Sequence, residues 1–129
     1  MLLNQLYDYD IKVFIDYSQP HKTKEFQHCR EYVTEIITLP KMVSVGKEVN
    51  CRNLTFISCV ASTFGSQDIE IHLGTNAEDK YPDNSPQFYK ELELMLNKVS
   101  IHKVRIVLPL KNMTKEQITN KLKSNCYTD

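Results

Sequence analysis

Four histidines and four cysteines are the residues of this chain best equipped for acid–base, nucleophilic or metal chemistry. Paired histidines can act as general base and acid on a phosphodiester, and His21-Lys22-Thr23 has the histidine–any–threonine spacing of one such element. Its partner would be His72, but His72-Leu73-Gly74-Thr75 is one residue too long, and Pro20-His21 reads as loop rather than strand. His28, Cys29, Cys51, Cys59 and His72 do not fall into the close pairs, such as CxxC or HxxxH, that strong metal sites use. With three glycines in total, no phosphate-cradling loop is expected, and neither a metal nor another cofactor is called for. Cys29, Cys51, Cys59 and Cys126 read as reduced, mostly buried thiols.

A second set of residues suits recognition better than catalysis. Lys12, Phe14 and Asp16 share one parity in an alternating segment, and Arg52, Leu54, Phe56 and Ser58 share one parity in another. Exposed aromatics beside basic residues on one sheet face can stack bases and hold phosphates. For that, the two segments must be neighbouring strands with these side chains turned away from the helices.

The surrounding pattern supplies such strands. Ile11 to Tyr17 alternates, with Ile11, Val13 and Ile15 on the opposite face, and Ser18-Gln19-Pro20 ends it. Thr23 can cap a helix through Phe26, Cys29, Val33, Ile36 and Ile37 that stops by Leu39, before Pro40. Met42 to Glu48 is either a short strand or a crossing loop. Asn50 to Ala61 is β-branched and aromatic, and Gln67 to Leu73 alternates Ile69, Ile71 and Leu73 against polar residues, so the two predict a hairpin about Ser62 to Ser66. Gly74 to Asn84 reads as an exposed polar loop. Ser85-Pro86 opens a helix with the apolar stripe Phe88, Leu92, Met95, Leu96 and Val99, Val104 to Leu108 is a last strand, and Thr114-Lys115-Glu116-Gln117 is a capping box opening a terminal helix.

This order predicts an α+β fold, a ferredoxin-like βαββαβ sandwich with an additional C-terminal helix, in one domain over residues 1–129. The 129 residues suffice for one core, and 41% hydrophobic with 25% charged residues exclude a disordered chain. No apolar run approaches the roughly 20 residues that cross a bilayer. The start, Met1 to Leu6, lacks the basic region of a signal peptide, so an intracellular protein, cytoplasmic or nuclear, is expected. Sixteen basic residues balance sixteen acidic ones, so affinity for a polyanion would need a local patch.

At these two segments the chain resembles an RNA-recognition motif. Val13-Phe14-Ile15-Asp16-Tyr17-Ser18 is similar to that family's short first-strand motif, and Arg52-Asn53-Leu54-Thr55-Phe56-Ile57-Ser58-Cys59 to its octapeptide, with Asn53, Leu54 and Cys59 at the glycine, first-aromatic and last-aromatic positions. The resemblance implies a non-enzymatic module in which Phe14 and Phe56 stack bases, Arg52 contacts phosphate, and Lys12 and Leu54 complete the face. Val13 to Tyr17 also resembles the aromatic strand of Tudor domains, which implies recognition of methylated arginine or lysine.

Three occupants of that face stay open: RNA, a protein partner, or a second copy of the chain. Phe14 and Phe56 could equally be covered by the terminal helix. The alternative is a small inhibitor, immunity or viral-accessory protein that docks on its target through the acidic loop Glu78 to Asp83 or a helix face, which the neutral net charge suits.

Overall fold

The computed structural model describes Leu3 and residues 9–19, 22–42, 44–45, 48–49, 51–78 and 82–128. Pro20, His21 and Asn50 of the readings above lie outside these residues, as do Met1 to Leu6 apart from Leu3 and the Cys126 side chain. The chain forms two compact units, one of residues 1–50 and 121–129, the other of residues 51–120.

The first unit contains a parallel strand–helix–strand motif. Strand β1 (Val13–Asp16) leads to helix α1 (Lys22–Cys29), and strand β2 (Glu35–Thr38) returns parallel to β1 with Phe14 opposite Ile36. The helix predicted to reach Leu39 ends ten residues early. Every residue from Val33 to Thr38 except Glu35 is β-branched, and the run gains more by pairing with β1 than by extending a helix it disfavours. Thr34 fastens that pairing, its hydroxyl accepting from Lys12 N at 2.8 Å while its own N–H donates to Lys12 O at 2.8 Å. The ambiguous segment after Met42 holds a short antiparallel ladder of β3 (Ser44–Val45) and β4 (Glu48–Val49).

The turn after β1 is set by one buried amide. Gln19 accepts from Tyr17 N at 3.0 Å and donates to Ile15 O at 3.2 Å and to Glu25 Oε2 at 2.9 Å. It thereby ties the strand end to the first turn of α1. Ser18 occupies the left-handed region at φ 60° inside this turn.

The second unit opens with helix α2 (Arg52–Phe64), followed by β5 (Ile69–His72), helix α3 (Pro86–Val99) and β6 (Val104–Val107). β5 and β6 are parallel, with Ile69 opposite Val104 and Ile71 opposite Ile106. Here the sequence reading needs its largest correction: residues 52–64 are helical, so neither the strand over Asn50 to Ala61 nor its hairpin with β5 exists. The β-branched residues suggested a strand, but Asn53, Ile57 and Ala61 recur every fourth position and are the residues of α2 that become buried. Ile57 is 1% exposed and packs with Ile71, Tyr89, Leu92, Leu96 and Val104 in the core of this unit. Gly65 ends α2, and a Cβ there would run into the Ala61 carbonyl oxygen.

Helix α3 begins as its sequence dictates. The Ser85 hydroxyl accepts from Phe88 N at 3.0 Å, and Pro86 occupies the first turn. Its buried side is Tyr89, Leu92 and Leu96, which leaves Met95 and Val99 of the expected stripe exposed. Polar side chains of α3 hold β6. Asn97 donates to Val104 O at 2.8 Å and accepts from Val104 N at 2.9 Å, and Glu93 accepts from Ile106 N at 2.7 Å.

The terminal helix α4 (Lys115–Thr128) starts with the expected capping box, Thr114 Oγ1 accepting from Gln117 N at 3.1 Å and Gln117 Oε1 accepting from Thr114 N at 2.9 Å. Among the described residues no helix is long and apolar enough to cross a membrane. None of Cys29, Cys51 and Cys59 is in a disulfide; Cys51 is exposed and the other two are half-buried, which corrects the expectation of buried thiols.

Candidate functional site

Parallel α/β sheets bind ligands beyond the carboxyl ends of their strands, where successive loops diverge and leave a crevice. The second unit has a cleft of about 610 Å³ at this place, within the range of small-molecule sites. Thr75, Asn76 and Ala77 of the loop after β5 line one part, Leu108 and Lys111 after β6 another, and Asn84, Ser85 and Tyr89 at the start of α3 a third. The β5 loop is tied across to the β6 side by Ala77 N, which donates to Met113 O at 2.9 Å.

A buried polar network stands behind the cleft. Asn53 and Tyr89 are each 4% exposed. The Asn53 backbone N–H donates to Asp83 Oδ2 at 2.8 Å, and its side-chain amide donates to Asp83 O at 3.2 Å and to the Tyr89 hydroxyl at 3.1 Å. The Tyr89 hydroxyl donates to Asn84 Oδ1 at 2.5 Å and also interacts with the Thr75 side chain. One amide at the start of α2 therefore fixes the 3₁₀ turn Pro82–Asn84 and the first turns of α3, which together carry half of the cleft wall.

Burial pushes the Tyr89 phenol up to about 12, and the nearby Asp83 carboxylate adds to the shift, while the Asn53 hydrogen bond and the Arg52 charge oppose it. Tyr89 is thus a neutral hydrogen-bonding group at any physiological pH. The lining is made of amides, hydroxyls, prolines and a leucine with one cation, Lys111. Such a surface can align a planar, hydrogen-bonding, largely uncharged ligand between apolar walls. Among the described residues no group of three or more His, Cys, Asp and Glu is placed to hold a metal ion.

The five residues singled out from the sequence do not share a strand face. Lys12 and Phe14 lie in the first unit, and Phe14 turns toward α1, meeting Phe26 edge-on at 5.3 Å between ring centroids. It therefore lines the helix side of the sheet, not the open side that parity assigned to it. A cavity of about 430 Å³ adjoins this pair, walled by Asp16, Lys22, Arg30 and Ile36. Arg52, Leu54 and Phe56 lie on α2 in the second unit, where Arg52 sits 6.0 Å over the Phe56 ring, one helical turn away, and Leu54 is exposed.

Sequence reasoning missed Asn53, Thr75, Asp83, Asn84 and Tyr89 as site residues. For Thr75, Asp83 and Asn84 the signal was the segment Gly74 to Asn84, a polar loop leaving a strand and entering a capped helix, which is where parallel α/β units place their ligand loops; Asn53 and Tyr89 carried none.

Comparison with known proteins bears directly on this unit. The family model described as queuosine biosynthesis protein QueC matches residues 31–126, a stretch that contains the whole cleft. The chain is 38% identical over 117 residues to the 7-cyano-7-deazaguanine synthase of Rickettsia bellii, covering 88% of this chain and 44% of that protein. It is 39% identical over 95 residues to the synthase of Rickettsia prowazekii, covering 67% and 41%, and 42% identical over 81 residues to that of Rickettsia massiliae, covering 57% and 36%. The chain thus spans about two fifths of the length of these curated relatives. No solved structure matches it.

The relatives bear the name of an enzyme, so these matches overturn the resemblance to an RNA-recognition motif, the non-enzymatic binding reading and the docking-protein alternative. The octapeptide that carried the resemblance is the first two turns of α2, where spacing by two has no meaning for a shared face. With most of its length matched by the family model, the chain belongs to the QueC family of queuosine biosynthesis proteins.

Proposed function

We propose that this chain works in the synthesis of 7-cyano-7-deazaguanine, and that the cleft beyond β5 and β6 holds the deazaguanine ring. The observation that carries the reading is the family match over residues 31–126, which spans every residue of the cleft. The chemistry of the lining supports it. A bicyclic, flat, neutral ring offers hydrogen-bonding edges to the Thr75 hydroxyl and the Asn76 and Asn84 amides, and apolar faces to Pro82, Pro86 and Leu108. Tyr89, held neutral, supports Asn84 without introducing a charge. Such an enzyme acts in the cytoplasm.

The test is a chimera. The 117-residue stretch of the Rickettsia bellii synthase aligned with this chain is replaced by the chain's own residues. The chimera is expressed in a bacterium lacking its own 7-cyano-7-deazaguanine synthase, and 7-cyano-7-deazaguanine and queuosine are measured by mass spectrometry. Restoration of both by the chimera, and their loss on Asn84→Ala, is the expected result. A soluble, folded chimera that makes neither, beside an active parent, overturns the proposal.

A further inference from the structure

The first unit has a cavity of its own, about 430 Å³, in the groove between α1 and the face of β1 and β2 that the helix covers only in part. It shares no residue with the cleft beyond β5 and β6. Its floor is apolar. Phe14 and Ile36 stand opposite one another in the parallel pair and turn to the same face, Phe26 meets Phe14 edge-on, and Ile36 is left 54% exposed. Its wall is polar. Thr23, Gln27 and Arg30 recur along one line of α1 and the residue that follows it, and all three are exposed.

The charges along the groove select its ligand. At one end Asp16 and Lys22 neutralise each other at 3.4 Å. At the other, Arg30 makes no ion pair among the described residues, so the groove keeps one uncompensated guanidinium. The planar donor fork of that group fits a carboxylate. From Thr23 to Arg30 the groove runs roughly 10 Å at helical rise, room for a fused two-ring body with an acid group at one end. Flat apolar rings can lie on Phe14, Phe26 and Ile36, while a polar ring edge meets the Thr23 hydroxyl and the Gln27 amide. We propose that the groove between α1 and the β1–β2 sheet is a binding site for an aromatic carboxylate, its rings on Phe14, Phe26 and Ile36 and its acid group on Arg30.

The place of Arg30 sets this site apart from one where chemistry occurs. In a parallel strand–helix–strand unit the helix runs back against the strands, so the residue after α1 stands at their amino ends. Parallel α/β sheets hold their reacting ligands at the opposite, carboxyl ends. An aromatic carboxylate anchored at Arg30 is a ligand of the first unit in its own right, not the ring held in the cleft.

Amide chemical shifts of the full chain, titrated with 2-naphthoate and with its uncharged isostere 2-naphthamide, test this. The expected result is one saturable site for 2-naphthoate with a dissociation constant on the order of 1 mM, as for a ligand this small. The shifts should concentrate at Phe14, Phe26, Gln27, Arg30 and Ile36. 2-Naphthamide should bind about tenfold more weakly, for want of the charge-assisted contact to Arg30. Arg30→Gln should remove that preference, and Ile36→Ser should weaken both compounds while keeping it. Both positions are exposed, so the rest of the spectrum should stay as in the parent. Shifts scattered over both units, equal binding of the two compounds by the parent, or an Arg30→Gln variant that still prefers the carboxylate overturns the proposal.

Discussion

Tyr89 ties two parts of the cleft to α2 through a single hydroxyl, which accepts from Asn53, donates to Asn84 and interacts with Thr75. Its phenol is pushed up to about 12 from an ordinary value of 10 by burial and by Asp83. The folded state therefore favours the neutral phenol. This contribution is complete below the unfolded value, and it is lost as pH rises through the interval between about 10 and about 12. In Tyr89→Phe the chain should lose less stability than the parent across that interval in urea titrations at fixed pH. If both proteins lose stability equally there, the shift does not belong to Tyr89. At neutral pH the same substitution leaves the Asn53 amide and Asn84 carbonyl short of a partner, and about 1 to 3 kcal/mol of destabilisation is expected. Thr114 and Ser85 were legible as capping residues because a cap depends on nearest neighbours in sequence. Tyr89 was not, because its three partners come from residues 53, 75 and 84, which only folding collects.

Helix α2 illustrates how local preference and tertiary burial compete. Thr55, Ile57, Val60 and Thr63 are β-branched and favour strands by amounts well below 1 kcal/mol each. Burying Ile57 alone offsets about 1.5 to 3 kcal/mol. The helix wins because its four-residue repeat sends Asn53, Ile57 and Ala61 to one side, where the core and Asp83 receive them. Ile57→Ala should then cost about 2 to 5 kcal/mol of unfolding free energy in urea titrations, the penalty for a truncated core residue. A loss below about 1 kcal/mol would place Ile57 at the surface and remove the basis for the helix. Phe56→Ala, on the half-buried flank beneath Arg52, should cost less than Ile57→Ala. Helix α3 shows the converse case, in which sequence identified the element and two of its three buried residues, Leu92 and Leu96, and missed Tyr89. Met95 and Val99 of the expected stripe satisfy helical spacing as well as Tyr89 does beside Leu92 and Leu96, and the choice fell to the side that also brings Asn97 and Glu93 onto β6.

At the scale of the molecule the two units differ in how they are built. The residues of the core around Ile57 all lie within residues 51–120, a continuous stretch holding α2, β5, α3 and β6. The first unit joins the two ends of the chain, residues 1–50 and 121–129. The continuous unit contains its own core and both halves of its cleft, so residues 51–120 expressed alone should unfold in one cooperative thermal transition with helical circular dichroism. A fragment of this size buries only about 60% of its extended surface, so its midpoint should lie below that of the whole chain. A non-cooperative, molten transition would mean that the first unit is needed to complete the second.

What the sequence determined by itself is what depends on short-range chemistry. The strands at Ile69 and Val104, the capped helix at Ser85 and the capping box at Thr114 were all legible, because caps, turns and alternation act between residues a few positions apart. The end of α1, the helical state of residues 52–64 and the turning of Phe14 toward Phe26 were decided by tertiary structure. In each case two local geometries were close in energy, and burial against distant residues chose between them. The candidate site belongs to the second class. Asn53 reaches Asp83 across thirty positions and Tyr89 across thirty-six, and no spacing rule along the chain anticipates a contact that exists only once α2 packs beside the 3₁₀ turn and the start of α3.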